Sequence, residues 1–121
     1  MSKTDQARLD IVLKASVNST CRARHAASVY KGGRLLSIGL NKSRVNNRWL
    51  PELEGRPASE HAEMAALRQI EDARGCVLYV ARTLKNGEPA MSKPCQECAK
   101  EIARRGIKRV VYSIDSYYDV E

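Results

Sequence analysis

Two short segments far apart in the chain, His61-Ala62-Glu63 and Pro94-Cys95-Gln96-Glu97-Cys98, carry groups that serve one purpose only if the fold brings them together. Cys95 and Cys98 are three apart and share one face if a helix opens at Pro94, a residue favoured in a first helical turn. The partial positive charge of a helix start favours thiolate, the form that binds metal. His61 and Glu63 are two apart and point to nearly opposite sides of a helix body, so both can serve one centre only by leaning over a helix end. Pro57-Ala58-Ser59-Glu60 suits such an end, with Ser59 as the N-cap. The pattern therefore predicts two helix starts that converge.

The donors are two thiols and one imidazole. A structural zinc takes four protein ligands, whereas a catalytic zinc takes three and keeps one tetrahedral position for water. Cys21, Cys76 and His25 have no paired spacing that would make one of them a fourth ligand. Cys76, in Gly75-Cys76-Val77-Leu78-Tyr79-Val80, reads as a buried strand residue, and His25 as a hydrogen-bonded structural histidine. The expected cofactor is one Zn2+ per chain, held by His61, Cys95 and Cys98. Zinc so held lowers the pKa of its water towards neutrality, and the unliganded Glu63 takes the proton. Each half of the pattern is weak alone, since a Cys-x-x-Cys also occurs in redox pairs and zinc ribbons. A structural zinc site or a thiol redox pair is the competing reading.

His61-Ala62-Glu63-Met64-Ala65-Ala66-Leu67, Pro94-Cys95-Gln96-Glu97-Cys98-Ala99-Lys100 and Gly106-Ile107-Lys108-Arg109-Val110-Val111-Tyr112 together resemble the zinc-dependent cytidine and deoxycytidylate deaminase superfamily. The likeness spans about residues 20 to 114. The approach Lys85-Asn86-Gly87-Glu88-Pro89-Ala90-Met91-Ser92-Lys93-Pro94 resembles small phage-type members. The resemblance implies an α/β, three-layer fold, with a mixed central sheet of four to five strands and helices on both faces. It implies that Glu63 is both acid and base, delivering protons to the ring nitrogen and to the departing amine. Asn41, in Gly39-Leu40-Asn41, matches the family's Gly-x-Asn, whose amide meets the sugar or base; a turn-forming asparagine is its other reading. The backbone of Ala62 is suited to the base carbonyl, and the carbonyl of Ser92 or Lys93 to the amine. Tyr117 and Tyr118 resemble the aromatic segment that follows the last core strand of deoxycytidylate deaminases, to stack on a base or to plug the core. No further His and Cys set matches the second, structural zinc of some relatives, and residues 41–57 carry no glycine-rich effector pattern.

A chain of 121 residues fits one domain, expected over residues 1–121. Leu9, Val12, Leu13 and Val17 recur at helical spacing, with Ser16 on the same face, before an Asn18-Ser19-Thr20 break. Ala26 to Tyr30 and Arg34 to Leu40 flank Lys31-Gly32-Gly33, a hairpin turn. A loop from Asn41 to Pro57 follows, then the His helix ending near Gly75. Next come a strand from Cys76 to Thr83, a loop to Lys93, the Cys helix to Gly106 and a strand from Ile107 to Ile114. The order is α-β-β-α-β-α-β, and the last two strands, joined through a helix, are expected to be parallel. Relatives add a fifth strand or a C-terminal helix, and only residues 115–121 remain for that here. An edge so shortened favours a homo-oligomer.

Four cysteines with two committed to metal argue for a reducing cytosol over a disulfide framework, and no apolar run approaches membrane-spanning length. A cytoplasmic location with no membrane partner is expected. Lys plus Arg number 21 against 14 Asp plus Glu, a formal charge of +7. Such an excess attracts phosphate whether a nucleotide or a polymer carries it. Lys42, Arg44, Arg48, Trp49 and Arg56 mix cations with an aromatic as single-strand binders do, although a solvated loop with one anchoring Trp is the simpler reading. Arg104, Arg105, Lys108 and Arg109 flank the end of the Cys helix, where cations suit the helix dipole and need no ligand. The first expectation is deamination of cytosine to uracil in a free nucleotide or nucleoside, deoxycytidylate favoured. The second is a polynucleotide deaminase acting on single-stranded DNA or RNA. The third is a non-catalytic, zinc-containing nucleic-acid-binding module, against which the unliganded Glu63 speaks.

Overall fold

The computed structural model describes residues 2–19, 21, 23–43, 59–114 and 117–120, with the backbone alone described for residues 43, 59, 60 and 117–120. Helix α1 (Lys3–Ser16) opens on Ser2, whose hydroxyl accepts the Asp5 N–H at 3.0 Å. Its buried stripe is Leu9, Val12, Leu13 and Ser16. Val17 lies outside that stripe, because the helix ends at Ser16 and leaves Val17 at the C-cap, 47% exposed. Strands β1 (Arg24–Lys31) and β2 (Arg34–Leu40) form the expected hairpin, turned by Gly32 at φ 60°, where a side chain would be strained.

Two-residue strands β3 (Lys42–Ser43) and β4 (Ser59–Glu60) pair antiparallel and bracket residues 44–58. Helix α2 is only Ala62–Leu67. The expectation of a helix from Ser59 to near Gly75 is corrected at both ends. Ser59 is spent on β4, which leaves His61 as the N-cap. At the other end the guanidinium of Arg105 donates to the carbonyls of Leu67 and Ile70, and the Gln69 amide donates to Ala65 O, so the last turn is closed from outside the helix.

Strand β5 (Val77–Thr83) starts one residue after Cys76, which is fully buried as expected but lies before the strand. The stretch expected as loop contains β6 (Pro89–Ala90), folded back on Arg82 and Thr83 through a turn at Gly87. Helix α3 (Gln96–Arg104) leads to β7 (Arg109–Ile114), which pairs parallel with β5 from Val77↔Arg109 to Val80↔Tyr112. The residues after β7 form β8 (Tyr117–Val120), antiparallel to it, so the edge expected to be truncated carries a further strand. The sheet runs β2-β1-β5-β7-β8, mixed, with β6 beside β5.

Alternation along the strands divides the interior into two layers. Ala26 and Tyr30 of β1, Tyr79 and Ala81 of β5, and Val111 of β7 meet Leu9, Val12 and Leu13 of α1. Ala27, Val29, Leu78, Val80 and Tyr112 meet Ala62, Ala66 and Leu67 of α2 and Cys98 and Ile102 of α3 on the other face. Both ligand-bearing helices thus share one face, and among the described residues α1 is the helix on the opposite one. The start of α2 lies hard against β2: a Cβ on Gly39 would stand 2.8 Å from Ala62 O and nearer still to Ala66 N.

Candidate active site

The two N-cap residues carry the convergence. His61 and Cys95 both hold extended backbone (φ −72°, ψ 148° and φ −68°, ψ 171°), and neither side chain caps its own helix. The side chains turn to each other instead, with Cys95 Sγ 3.7 Å from His61 Nδ1. Cys98, one turn into α3, places its Sγ 3.2 Å from the same nitrogen. Helix α3 opens at Gln96 where Pro94 was expected to start it, because Cys95 keeps the extended conformation that aims its sulfur across to α2.

The Nδ1 and two Sγ atoms lie within 4.8 Å of one another. Zinc–sulfur and zinc–nitrogen bonds of tetrahedral geometry set such donors about 3.6–3.8 Å apart. The donor set therefore fits one Zn2+, with His61 and Cys95 exposed and Cys98 buried behind them. Burial pushes the Cys98 thiol up, and Glu63 and Cys95 add to that. A divalent cation held among these donors would favour the thiolate instead.

Glu63, in the first turn of α2, is 5% exposed, and burial raises its pKa, with the nearby imidazole of His61 among the influences that oppose the rise. It stands apart from the donor triad, since the metal-competent group is His61, Cys95 and Cys98. A cavity of about 260 Å3 opens over this group and is lined by His61, Ala62, Glu63, Asn41, Ser92, Lys93 and Cys95, together with Ala23 and His25. Of the residues expected to meet substrate, Asn41, Ala62, Ser92 and Lys93 share this wall. Tyr117 sits in β8 with its backbone paired to Ile114, and its side chain is outside what is described.

Asn41 is pinned from three sides. Its Oδ1 accepts Ser19 Oγ–H at 2.6 Å and His25 N–H at 3.0 Å, and its Nδ2 donates to Ala23 O at 2.6 Å. The amide that sequence reasoning offered either to substrate or to a turn thus fastens the end of β2 to Ser19, Ala23 and His25, the last two of which line the cavity. Ser19 and His25 were not legible as parts of the site. A hydroxyl in a polar break carries no spacing signal, and the imidazole of His25 lines the cavity, its pKa lowered chiefly by burial and also by Arg82 and His61.

Three of the four cations near the end of α3 have structural partners: Arg104 pairs with Glu101, Arg105 donates to the carbonyls of Leu67 and Ile70, and Arg109 pairs with Asp5. Arg44, Arg48, Trp49 and Arg56 lie outside the described residues. Among the described residues no helix is long and apolar enough to cross a membrane.

Comparison with known proteins agrees with this geometry. The deoxycytidylate deaminase of Mus musculus is 40% identical over 63 residues, 50% of this chain and 30% of that protein. The Homo sapiens deoxycytidylate deaminase is 39% identical over 61 residues, 49% of this chain and 29% of its own length. The match thus spans less than a third of these curated relatives. Among solved structures, the dCMP deaminase of cyanophage S-TIM5 in complex with dCMP and dUMP superposes with a TM-score of 0.64 at 27% identity, covering 93% of this chain and 82% of that one. Acinetobacter baumannii RibD shares the fold, with a TM-score of 0.59 at 24% identity over 91% of this chain and 28% of its own. Residues 2–114 match the cytidine and deoxycytidylate deaminase zinc-binding region. A chain whose two helix starts close on one His and two Cys donors, matched over that length, belongs to the cytidine and deoxycytidylate deaminase family.

Proposed function

We propose that the chain is a zinc-dependent hydrolytic deaminase that converts the cytosine base of a free nucleotide or nucleoside to uracil and releases ammonia, deoxycytidylate being the favoured substrate. One juxtaposition carries the reading: the buried Glu63 carboxyl lines the same cavity as His61 and Cys95 and has no place in the donor triad. Zinc held by His61, Cys95 and Cys98 supplies the Lewis acidity that makes water nucleophilic near neutral pH. Glu63 accepts the proton of the attacking water and passes protons to the ring nitrogen and the leaving amine. Burial, which raises its pKa, suits a carboxyl that must both take and give.

The remaining wall supplies orientation. The backbone of Ala62 meets the base carbonyl, and the carbonyls of Ser92 and Lys93 receive the exocyclic amine. Asn41 gives one Nδ2 hydrogen to Ala23 O, and in this reading the other meets a sugar hydroxyl. The S-TIM5 enzyme, solved with dCMP and dUMP, supports a mononucleotide over a polymer. In this reading residues 1–121 form one cytoplasmic domain that associates with copies of itself. The test is ammonia release from zinc-loaded protein given cytosine, cytidine, deoxycytidine, dCMP, their purine counterparts and single-stranded oligonucleotides. The highest kcat/KM is expected for dCMP, and no release from any of them overturns the proposal.

A further inference from the structure

The parallel ladder of β5 and β7 ends at Val80 and Tyr112, and the β6 segment enters beside β5 just beyond. Two hydroxyls make good the ladder there. Arg82 N–H donates to Ser113 Oγ at 3.1 Å, and the Ser113 hydroxyl donates to Ala90 O at 2.8 Å. Ser113 N–H donates to Ser92 Oγ at 2.9 Å, and the Ser92 hydroxyl reaches Val80 O at 2.9 Å. Ser92 N–H closes the set on Ser113 O at 2.8 Å. The two hydroxyl oxygens are 2.9 Å apart, and both residues are buried. Each hydroxyl thus links a backbone donor and a backbone acceptor of neighbouring segments.

We infer that the Ser92–Ser113 hydroxyl pair positions the amine-recognising wall of the cavity, with Ser113 a positioning residue that is not itself part of that wall. The inference rests on the deaminase reading. Ser92 and Lys93 line the cavity, and Cys95 follows Lys93 by two residues, so one anchor holds both the carbonyls offered to the substrate amine and a metal donor. With alanine at position 113, the Arg82 N–H and the Ala90 carbonyl lose the hydroxyl that ties both to β7, and the Ala90–Ser92 segment can shift. An orienting group displaced by on the order of 1 Å costs up to about a hundredfold in rate. The sugar is assigned to Asn41, which a separate set of bonds holds, so the loss falls on kcat more than on KM.

The test compares zinc-loaded Ser113→Ala, Ser92→Ala and the double variant with the unaltered chain on dCMP, recording zinc content, melting temperature, kcat and KM. The expected result is one zinc per chain throughout and kcat lowered roughly tenfold or more in each single variant, with KM changed far less. The double variant is expected to lose less than the product of the two single losses, because the two hydroxyls are in contact and hold the same segment. Unchanged kcat in folded, zinc-loaded single variants overturns the inference, as does a fall in kcat that only tracks lost zinc. If Ser113→Ala fails to fold, Ser92→Ala decides by the same criteria. An unaltered chain that releases no ammonia removes the deaminase reading and this inference with it, an outcome visible before any variant is compared.

Discussion

Asp5, in the first turn of α1, and Arg109, at the start of β7, form a two-pronged ion pair across 104 positions of sequence, with Nη1 and Nη2 of the arginine 2.8 and 3.0 Å from the two carboxylate oxygens. Tyr79 donates to the same carboxylate at 2.6 Å from the central strand. The tyrosine ring in turn packs edge-on to Tyr30, and the guanidinium of Arg8 lies 4.1 Å from the Tyr30 ring centroid. The helix that contributes nothing to the site is thereby locked to the sheet that carries it.

This pairing predicts a pH dependence of stability. The Arg109 guanidinium, aided by Tyr79 and opposed by burial, holds the Asp5 carboxyl down to about 2. A carboxyl whose folded pKa lies below its unfolded value stabilises fully above the ordinary aspartate range and loses that contribution as pH falls towards 2. The amount at stake is on the order of 2 kcal/mol. Denaturant unfolding between pH 6 and pH 2 is expected to show a steeper loss for the unaltered chain than for Asp5→Asn. Taking the difference cancels the acid release of metal common to both, and parallel curves would count against the assignment.

Glu63→Gln keeps the size and burial of the side chain and removes only its capacity to accept a proton. Zinc content is expected to remain at one per chain, because Glu63 is outside the donor triad. Turnover is expected to fall roughly a hundred- to ten-thousand-fold. Metal analysis beside an ammonia assay reads both halves, and a zinc-loaded variant with near-normal turnover would reassign the proton carrier.

The convergence of His61, Cys95 and Cys98 was legible because His61 and Glu63, two apart, can serve one centre only by leaning over a helix end, and both helices do start there. The layers were expected from the family resemblance, and in the structure alternation along β1, β5 and β7 carries them. What escaped depends on partners distant in sequence. The end of α2 is set by Arg105, nearly forty positions on, and no local pattern announces it. Arg109 read as a helix-end cation because Asp5 is invisible from its own neighbourhood. Strands of two residues, such as β6, are too short to show a period of two. Asn41 carried a recognisable motif, yet its bonds to Ser19, Ala23 and His25 could not be read from residue types.

Gly39→Ala tests how the His61 helix is placed. The new methyl group would meet the α2 backbone at Ala62, Ala65 and Ala66, at 2.8 Å or less, and backbone cannot rotate away as a side chain can. The helix must lift from β2, carrying its N-cap with it. A loss of stability on the order of 1–3 kcal/mol is expected, together with weaker zinc retention, since the His61 nitrogen moves relative to both sulfurs. Thermal melting with and without a competing chelator measures the two effects, and unimpaired zinc retention would show that β2 does not fix the position of the histidine.

Ser19→Ala separates the two roles open to Asn41. The Ser19 hydroxyl donates to Asn41 Oδ1 at 2.6 Å and accepts Cys21 N–H at 3.2 Å, and it is one link from the cavity without lining it. Removing it leaves the His25 N–H on Oδ1 and loosens the hold of Asn41 on the wall that Ala23 and His25 form, while leaving the zinc donors and Glu63 untouched. A net hydrogen bond of this kind is worth roughly 0.5–1.5 kcal/mol, so a modest fall in melting temperature is expected. If the Asn41 amide also orients substrate, KM for dCMP rises while kcat and zinc content hold. Asn41→Ala should raise KM further, because it removes the amide itself as well as its anchors. Should Ser19→Ala and Asn41→Ala both lower stability and leave KM as it was, Asn41 is a fastener of the wall alone and the sugar is held elsewhere.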